Sequence, residues 1–92
     1  MRNTAIRLTD ELWALLRHCP DPAEAIKDAL ASYLLCGCER LEAVPVDSPK
    51  RNVPVDDMVF LIAARQAHEE HRPTDTVIAD ALHWFLTSEQ VA

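Results

Sequence analysis

Near its start the chain alternates polar and apolar side chains and then changes to a helical period. Thr4, Ile6 and Leu8 fall on one side of a two-residue repeat, which predicts a short strand with one buried face. Thr9 follows as a suitable N-cap, and apolar residues then recur at helical spacing until Pro20. The pattern therefore predicts one strand followed by one helix.

A second helix is predicted directly after this break. Asp21 followed by Pro22 is the pairing of an N-cap with a first helical residue, because proline needs no backbone donor there. One apolar stripe then runs to about Leu35, before Gly37. The stripe contains Ala25, Ile26, Ala29, Leu30, Tyr33 and Leu34.

The same order of elements returns after residue 49. Arg51, Val53 and Val55 lie on one side of a second two-residue repeat, which predicts a second strand. Asp56 and Asp57 then precede a helical run, where acidic residues suit the positive end of the helix dipole. The apolar members of this run are Val59, Phe60, Ile62, Ala63 and Ala67.

A last helix completes the second copy. His71–Pro73 ends the third helix, and Thr74 or Asp75 is the expected N-cap of the fourth. Its apolar face contains Val77, Ile78, Ala81, Leu82, Phe85 and Leu86. Residues 76–82 (TVIADAL) match residues 24–30 (EAIKDAL), so the chain is an internal duplication of strand, helix and helix.

The duplication predicts how the chain is divided and how its strands pair. Residues 36–49 form the expected linker between a first copy, residues 1–35, and a second copy, residues 50–88. A lone strand would leave its backbone donors and acceptors unpaired. We therefore expect residues 2–8 and 50–56 to pair antiparallel within one chain, with four helices on one face of this two-stranded ribbon.

The core of this mainly α fold is expected around a pseudo-two-fold axis between the copies. Ile26 and Leu30 match Ile78 and Leu82, so all four should be buried. The aromatic residues are also expected to pack in the core. Trp84 is the exception, because it lies beside another aromatic residue and indicates a contact between chains.

Composition and charge narrow the possible functions. The chain has 92 residues, nine Lys and Arg against fifteen Asp and Glu, and a net charge of −6, which argues against a general polyanion binder. One glycine cannot build a phosphate cradle, and no nucleophile motif is present, so we do not expect an enzyme. The N-terminus lacks the apolar segment of a secretory signal, which predicts a cytoplasmic protein without membrane contact.

Basic residues nevertheless gather on the two predicted strands. Residues 1–8 and 48–55 contain no acidic residue and four of the nine basic ones. These four are Arg2, Arg7, Lys50 and Arg51. A local basic patch on the ribbon is the footprint of a nucleic-acid site, although edge strands also collect basic residues simply to prevent further strand pairing.

The chain resembles the ribbon-helix-helix (MetJ/Arc-like) DNA-binding proteins, here as two copies in one polypeptide. The resemblance rests on the strand Ala5–Leu8, the helix opening Asp10–Leu12 and the second-helix motif Glu24–Leu34. It implies an intrachain pseudo-dimer whose ribbon enters the major groove of double-stranded DNA. The implied role is a transcriptional repressor or a plasmid or phage accessory protein.

The resemblance also implies which residues contact DNA. By alternation, the outward positions are Asn3, Ala5, Arg7, Lys50, Asn52 and Pro54. Arginine and lysine suit guanine edges and asparagine suits adenine, so four of these six are candidate base readers. Arg2 is expected to contact DNA without reading a base, which makes the candidate site Arg2, Asn3, Ala5, Arg7, Lys50 and Asn52.

Several residues favour a different function on the same fold. In the family, the N-terminus of each second helix binds a phosphate, but here Asp21 and Asp75 are anions and Pro22 lacks an N–H. Pro54 lies in a reading strand, which proline tolerates only where its missing donor faces away from the partner strand. The alternative is an acidic protein-interaction module that has lost DNA binding, and self-association through the helices is also open.

A metal site is the remaining alternative in the sequence. His68 and His71 lie three residues apart, and Cys36, Cys38 or Glu69 would have to complete a ligand set. Because no second pair of ligands matches the two cysteines, we expect no metal and no cofactor. The three cysteines, an odd number, are expected to be small buried side chains or free thiols rather than disulfides.

Overall fold

The computed structural model describes residues 2–36 and 47–91, and within them the predicted order of elements is confirmed. The fold is mainly helical, with one two-stranded sheet. The elements are β1 (Arg2–Arg7), α1 (Asp10–Arg17), α2 (Pro22–Cys36), β2 (Lys50–Val55), α3 (Asp57–Glu70) and α4 (Thr74–Val91). Most of the predicted linker, including Cys38, lies outside the described residues.

The two strands pair antiparallel within the chain, as predicted. The register runs from Arg2 opposite Val55 to Arg7 opposite Lys50. Helix α4 packs on β1, and α2 packs on β2, so each second helix covers the strand of the other copy. This crossing joins the two copies into one core, which neither copy would complete alone.

The starts of three helices are stabilised by the residues that precede them. Thr9 Oγ1 accepts the Leu12 N–H at 3.2 Å before α1. Asp21 Oδ1 accepts the Glu24 N–H at 3.3 Å before α2, as the sequence predicts. Asp56 does the same for α3, where its carboxylate accepts a backbone N–H at 3.0 Å. Each acceptor satisfies a donor that has no partner within its helix.

The prediction for the start of α4 is wrong by one or two residues. Thr74 and Asp75 both lie inside its first turn, because the carbonyl of Pro73 accepts the Val77 N–H at 3.3 Å and so begins the helix earlier. At its other end α4 reaches Val91, beyond the predicted boundary at residue 88. Helix ends are the least certain part of a sequence-based assignment, because local signals of similar strength compete there.

The predicted core is confirmed at its centre. Ile26 and Leu30 on α2 have exposures of 1% and 3%, and Ile78 and Leu82 on α4 have exposures of 1% and 0%. The partly buried aromatic residues Trp13, Phe60 and Phe85 pack against this core. No helix in the described part of the chain combines the length and apolar character needed to cross a bilayer.

Candidate nucleic-acid interface

The outward face of the ribbon brings together the six side chains that alternation selects. They form three cross-strand pairs, Asn3 with Pro54, Ala5 with Asn52 and Arg7 with Lys50. Arg7 and Pro54 are half-buried, and the other four are exposed. Arg2 also belongs to the ribbon, since its backbone pairs with Val55 at the end nearest Asn3.

The opposite face of the ribbon is closed by the helices. Ile6 on β1 and Val53 and Val55 on β2 are fully buried, as is Leu8 just after β1. Because successive strand residues point to opposite faces, burying this set fixes the other set outward. The predicted phase of both strands is therefore correct, and the ribbon has one buried face and one open face.

The register also explains how Pro54 fits a strand. The Leu8 N–H donates to the Pro49 carbonyl at 3.2 Å, which makes this a hydrogen-bonded type of position even though Pro49 has no N–H to donate in return. Along an antiparallel ladder such positions alternate with non-hydrogen-bonded ones. Pro54 falls at the intervening, non-hydrogen-bonded type of position, where a backbone N–H would point away from the partner strand. The missing N–H of Pro54 therefore removes no hydrogen bond between the strands, and proline is compatible with this position of β2.

The three outward pairs are all of this non-hydrogen-bonded type, in which opposite side chains approach most closely. At one end of the ribbon this places the cations of Arg7 and Lys50 directly opposite each other. Neither forms an ion pair with a carboxylate of the described residues. Like charges directly opposite each other destabilise a ribbon. An anion bound between them would reverse that effect.

Arg51, the remaining basic residue of β2, has a different environment. Its guanidinium forms an ion pair with Asp10 on α1 and lies 5.3 Å from the centre of the Trp13 ring. It belongs to the inward-facing set and is only half-buried, so it joins β2 to α1 at the edge of the core. Sequence reasoning placed Arg51 on the inward phase but missed both of its partners, since Asp10 and Trp13 are remote in sequence.

An acidic residue lies at the start of each second helix, where the family binds a phosphate. At α2, Asp21 already accepts the Glu24 N–H, and Pro22 has no N–H to offer. At α4, Asp75 places a carboxylate in the first turn. The dipole and donors that attract anions at a helix start are thus opposed by protein acids at both sites. Poor phosphate binding at these two helix starts stays a prediction.

A buried ionic cluster, which the sequence did not predict, joins three helices of the fold. Arg72, in the turn before α4, binds the carboxylate of Asp80 and that of Glu70, the latter at 2.9 Å. The Tyr33 hydroxyl, from α2, donates to Glu70 at 3.0 Å, and Gln66 donates to the same carboxylate at 2.6 Å. Asp80 has no exposed surface, so its charge depends on Arg72.

The cluster shifts the pKa of two of its members. Burial raises the pKa of the Tyr33 hydroxyl to about 12, and the hydrogen bond and negative charge of Glu70 act in the same direction. Burial opposes the charged form of Arg72, but the hydrogen bond and charge of Asp80 outweigh it and raise the pKa of Arg72. Arg72 is therefore a permanent cation inside the fold, and Tyr33 stays protonated at neutral pH.

The residues considered for a metal site do not form one in the described structure. His68, Glu69 and His71 are exposed at the end of α3. Among the described residues there is no group of three or more metal-binding side chains close enough to hold an ion. Of the two cysteines considered, Cys36 ends α2 and Cys38 lies outside the described residues.

The ribbon face is therefore the candidate site. Comparison with known proteins gives no further evidence about it. No protein-family model, no curated protein and no solved structure matches the chain.

Proposed function

We propose that the chain is a sequence-specific DNA-binding protein that inserts its ribbon in the major groove, as a transcriptional repressor or as a plasmid or phage accessory protein. The observation that supports this most strongly is the outward Arg7–Lys50 pair, two adjacent cations without an acidic partner among the described residues. The proposal includes a cytoplasmic location, where chromosomal, plasmid or phage DNA can be reached.

The chemistry of the outward side chains suits base edges. The major groove is about 12 Å wide and admits a two-stranded ribbon. Arg7 can donate two hydrogen bonds to one guanine, and Lys50 can donate to the same kind of edge. Asn52 can both donate to and accept from adenine, and Ala5 opposite it leaves room for the base or contacts a thymine methyl.

The net charge of −6 does not prevent such a contact. At physiological salt, charges are screened over about 8 Å, so acids on the far side of the helices act weakly at the ribbon. The carboxylate of Asp10 contacts Arg51 on β2, and this ion pair offsets its charge. What matters is the local field at the ribbon face, where Arg7 and Lys50 lie.

The acidic residues at the two helix starts lead to a quantitative expectation for how the DNA affinity depends on salt concentration. Each phosphate contact steepens the logarithmic dependence of affinity on salt by about 0.9. Because Asp21 and Asp75 oppose phosphate binding at α2 and α4, few such contacts are available. Binding should therefore show a shallow salt dependence and depend mainly on base contacts.

The experiment that tests the proposal compares two arginines in a DNA-binding titration. Fluorescence anisotropy with a selected duplex measures the affinity of the wild type, Arg7→Ala and Arg65→Ala. We expect Arg7→Ala to lose about 1–3 kcal/mol of binding free energy, because it removes a base contact. Arg65 is exposed on α3, so Arg65→Ala removes the same charge away from the ribbon and should bind as the wild type does.

Two results would contradict the proposal. No binding to any duplex at low salt would exclude DNA as the partner, since non-specific electrostatic binding is strongest there. Equal losses in Arg7→Ala and Arg65→Ala would mean that the ribbon is not the binding surface and that only overall charge matters.

A protein-interaction module remains the second candidate, and one surface favours it. Met58, Leu61 and Ile62 on α3 have exposures of 64%, 60% and 43%. Leu61 and Ile62 follow Met58 by three and four residues, so the three side chains form one apolar stripe on the outside of the helix. An exposed stripe of this kind is typical of protein contacts. Absence of DNA binding, together with self-association that Leu61→Glu abolishes in sedimentation, would favour this function.

A further inference from the structure

We infer that the DNA site of this protein is not a palindrome and is read in one orientation, with guanine preferred at one end only. The inference rests on the proposed function and specifies its substrate class. It follows from comparing the reading face with the buried face at positions that the duplication makes equivalent.

The equivalent positions of the two strands follow from the helices that come after them. Thr9 caps α1 and Asp56 caps α3, so these two residues correspond. Counting back from them, Ala5 corresponds to Asn52, and the register places these same two residues opposite each other. The pseudo-two-fold axis therefore passes through the Ala5–Asn52 pair, at the middle of the ribbon.

At the fully buried positions the two strands keep the same chemistry. Ile6 corresponds to Val53 and Leu8 to Val55, and all four are fully buried aliphatic residues. The symmetry is thus retained at the positions that form the core. A ribbon that was equally symmetric on its outer face would present the same residues to both halves of its site and would read an inverted repeat.

On the outward face none of the equivalent positions match. Asn3 corresponds to Lys50, Ala5 to Asn52 and Arg7 to Pro54, which are the six outward residues. In every pair the two residues differ in charge or in hydrogen-bonding capacity. On the inward side the half-buried Thr4 and Arg51 also differ, but the fully buried positions match, whereas every outward pair differs. Packing of the core does not require the outward differences.

The cross-strand register gives the two ends of the outward face different chemistry, so the face has a direction. At one end two cations, Arg7 and Lys50, lie opposite each other, and both suit guanine. At the other end Asn3 lies opposite Pro54, whose ring has no donor. Between them Asn52 suits adenine. Successive outward residues on a strand lie about 6.8 Å apart, so the three pairs extend over about 14 Å, or about four base-pair steps.

The test is selection of bound duplexes from a random pool by the full chain, followed by titration of the selected site. We expect a motif without two-fold symmetry, in which guanine is preferred at one end. Replacing that guanine should weaken binding about 5- to 150-fold, as expected for the loss of one good base contact. The equivalent replacement at the other end should have a smaller effect than this.

A designed variant tests whether the ribbon is the source of the asymmetry. Asn3→Lys combined with Pro54→Arg makes both ends of the outward face chemically equivalent. Asn3 is exposed and Pro54 is half-buried on the outward face, and the added backbone N–H faces away from the partner strand. The fold should therefore persist, which circular dichroism can verify. The variant should select guanine at both ends, whereas Arg65→Ala should select the wild-type motif.

The outcomes separate this inference from the proposed function. A palindromic wild-type motif would overturn the inference and leave the proposed function intact. Binding without any motif would overturn the inference and also the sequence specificity of the proposed function. A folded double variant that still selects the wild-type motif would also overturn it, since the asymmetry would then arise elsewhere. No binding to the pool at low salt would overturn the proposed function itself.

Discussion

The two copies of the strand-helix-helix unit share a core but differ in their first helices and in what those helices hold. Helix α1 has 8 residues and α3 has 14. Helix α3 also makes the more extensive contact with its own second helix. The buried residues at the centre of the second helices are alike in both copies, Ile26 and Leu30 in one and Ile78 and Leu82 in the other. The two copies are therefore alike in the core that they share and differ in the first helices that surround it.

The clearest difference lies at two aspartates in matching motifs. Asp28 in residues 24–30 corresponds to Asp80 in residues 76–82. Asp28 is exposed, whereas Asp80 is fully buried and paired with Arg72. The longer α3 ends beside α4 and brings the turn with Arg72 against Asp80. The same residue type in the same motif thus has a structural role in only one copy.

Removing the two aspartates in turn should give the largest contrast between the copies. Asp80→Ala leaves the Arg72 cation partly without its partners inside the fold, which should lower the free energy of unfolding by about 3–5 kcal/mol. Asp28→Ala is the matched control, and a surface change of this kind should stay within about 0.5 kcal/mol. Urea unfolding at neutral pH measures both. Similar losses in the two variants would mean that the copies do not differ in this way.

The hydroxyl of Tyr33 gives a second, pH-dependent contrast. Tyr33 is the only tyrosine in the chain, and its equivalent on α4 is Phe85, which has no hydroxyl. Titration by ultraviolet absorbance should give a pKa of about 12 in the folded protein and about 10 in urea. A folded pKa near 10 would show that neither burial nor Glu70 acts on the hydroxyl in solution.

The direction of the stability change follows from this shift. The raised pKa means that the folded state holds the proton more tightly, so the stabilisation is complete below pH 10 and is lost as the pH rises to about 12. Tyr33→Phe makes α2 resemble α4 at this position and should lose about 1 kcal/mol at neutral pH. The Tyr33→Phe variant should lack the part of the loss of stability at alkaline pH that comes from ionisation of Tyr33.

The smallest expected contrast concerns the histidines that end the two first helices. His71 after α3 has a left-handed backbone, with φ of 57°, whereas His18 after α1 is right-handed, with φ of −78°. Only glycine adopts the left-handed conformation without steric cost. His71→Gly should therefore raise the free energy of unfolding by about 0.5–1 kcal/mol, and His18→Gly should lower it by about 0.5 kcal/mol. A shift of the same sign in both, measured by urea unfolding, would contradict this difference.

Much of this fold could be predicted from local patterns. The two-residue repeats around Ile6 and Val53 indicated the strands and their buried face, and Thr9 and Asp21 indicated two helix starts. The duplication predicted that the strands pair within the chain. The outward residues followed from the same alternation, because burial of one face of a strand fixes the other.

The sequence could not predict the features that depend on contacts between distant segments. Asp28 and Asp80 occur in nearly the same motif, so only the packing of α3 and α4 decides which is buried. The contact of Arg51 with Asp10 and Trp13 joins residues about forty positions apart, and no local signal marks it. The directional order of the outward pairs also required the observed register.

The most direct test of the central claim, that the outward ribbon face binds DNA, is a map of the contact surface by nuclear magnetic resonance. The ¹⁵N-labelled chain is titrated with its selected duplex, and the change in each backbone amide signal is followed. We predict the largest changes at Asn3, Ala5, Arg7, Lys50 and Asn52 on the ribbon. Changes confined to the apolar stripe of Met58, Leu61 and Ile62 on α3, with the ribbon signals unmoved, would contradict the claim.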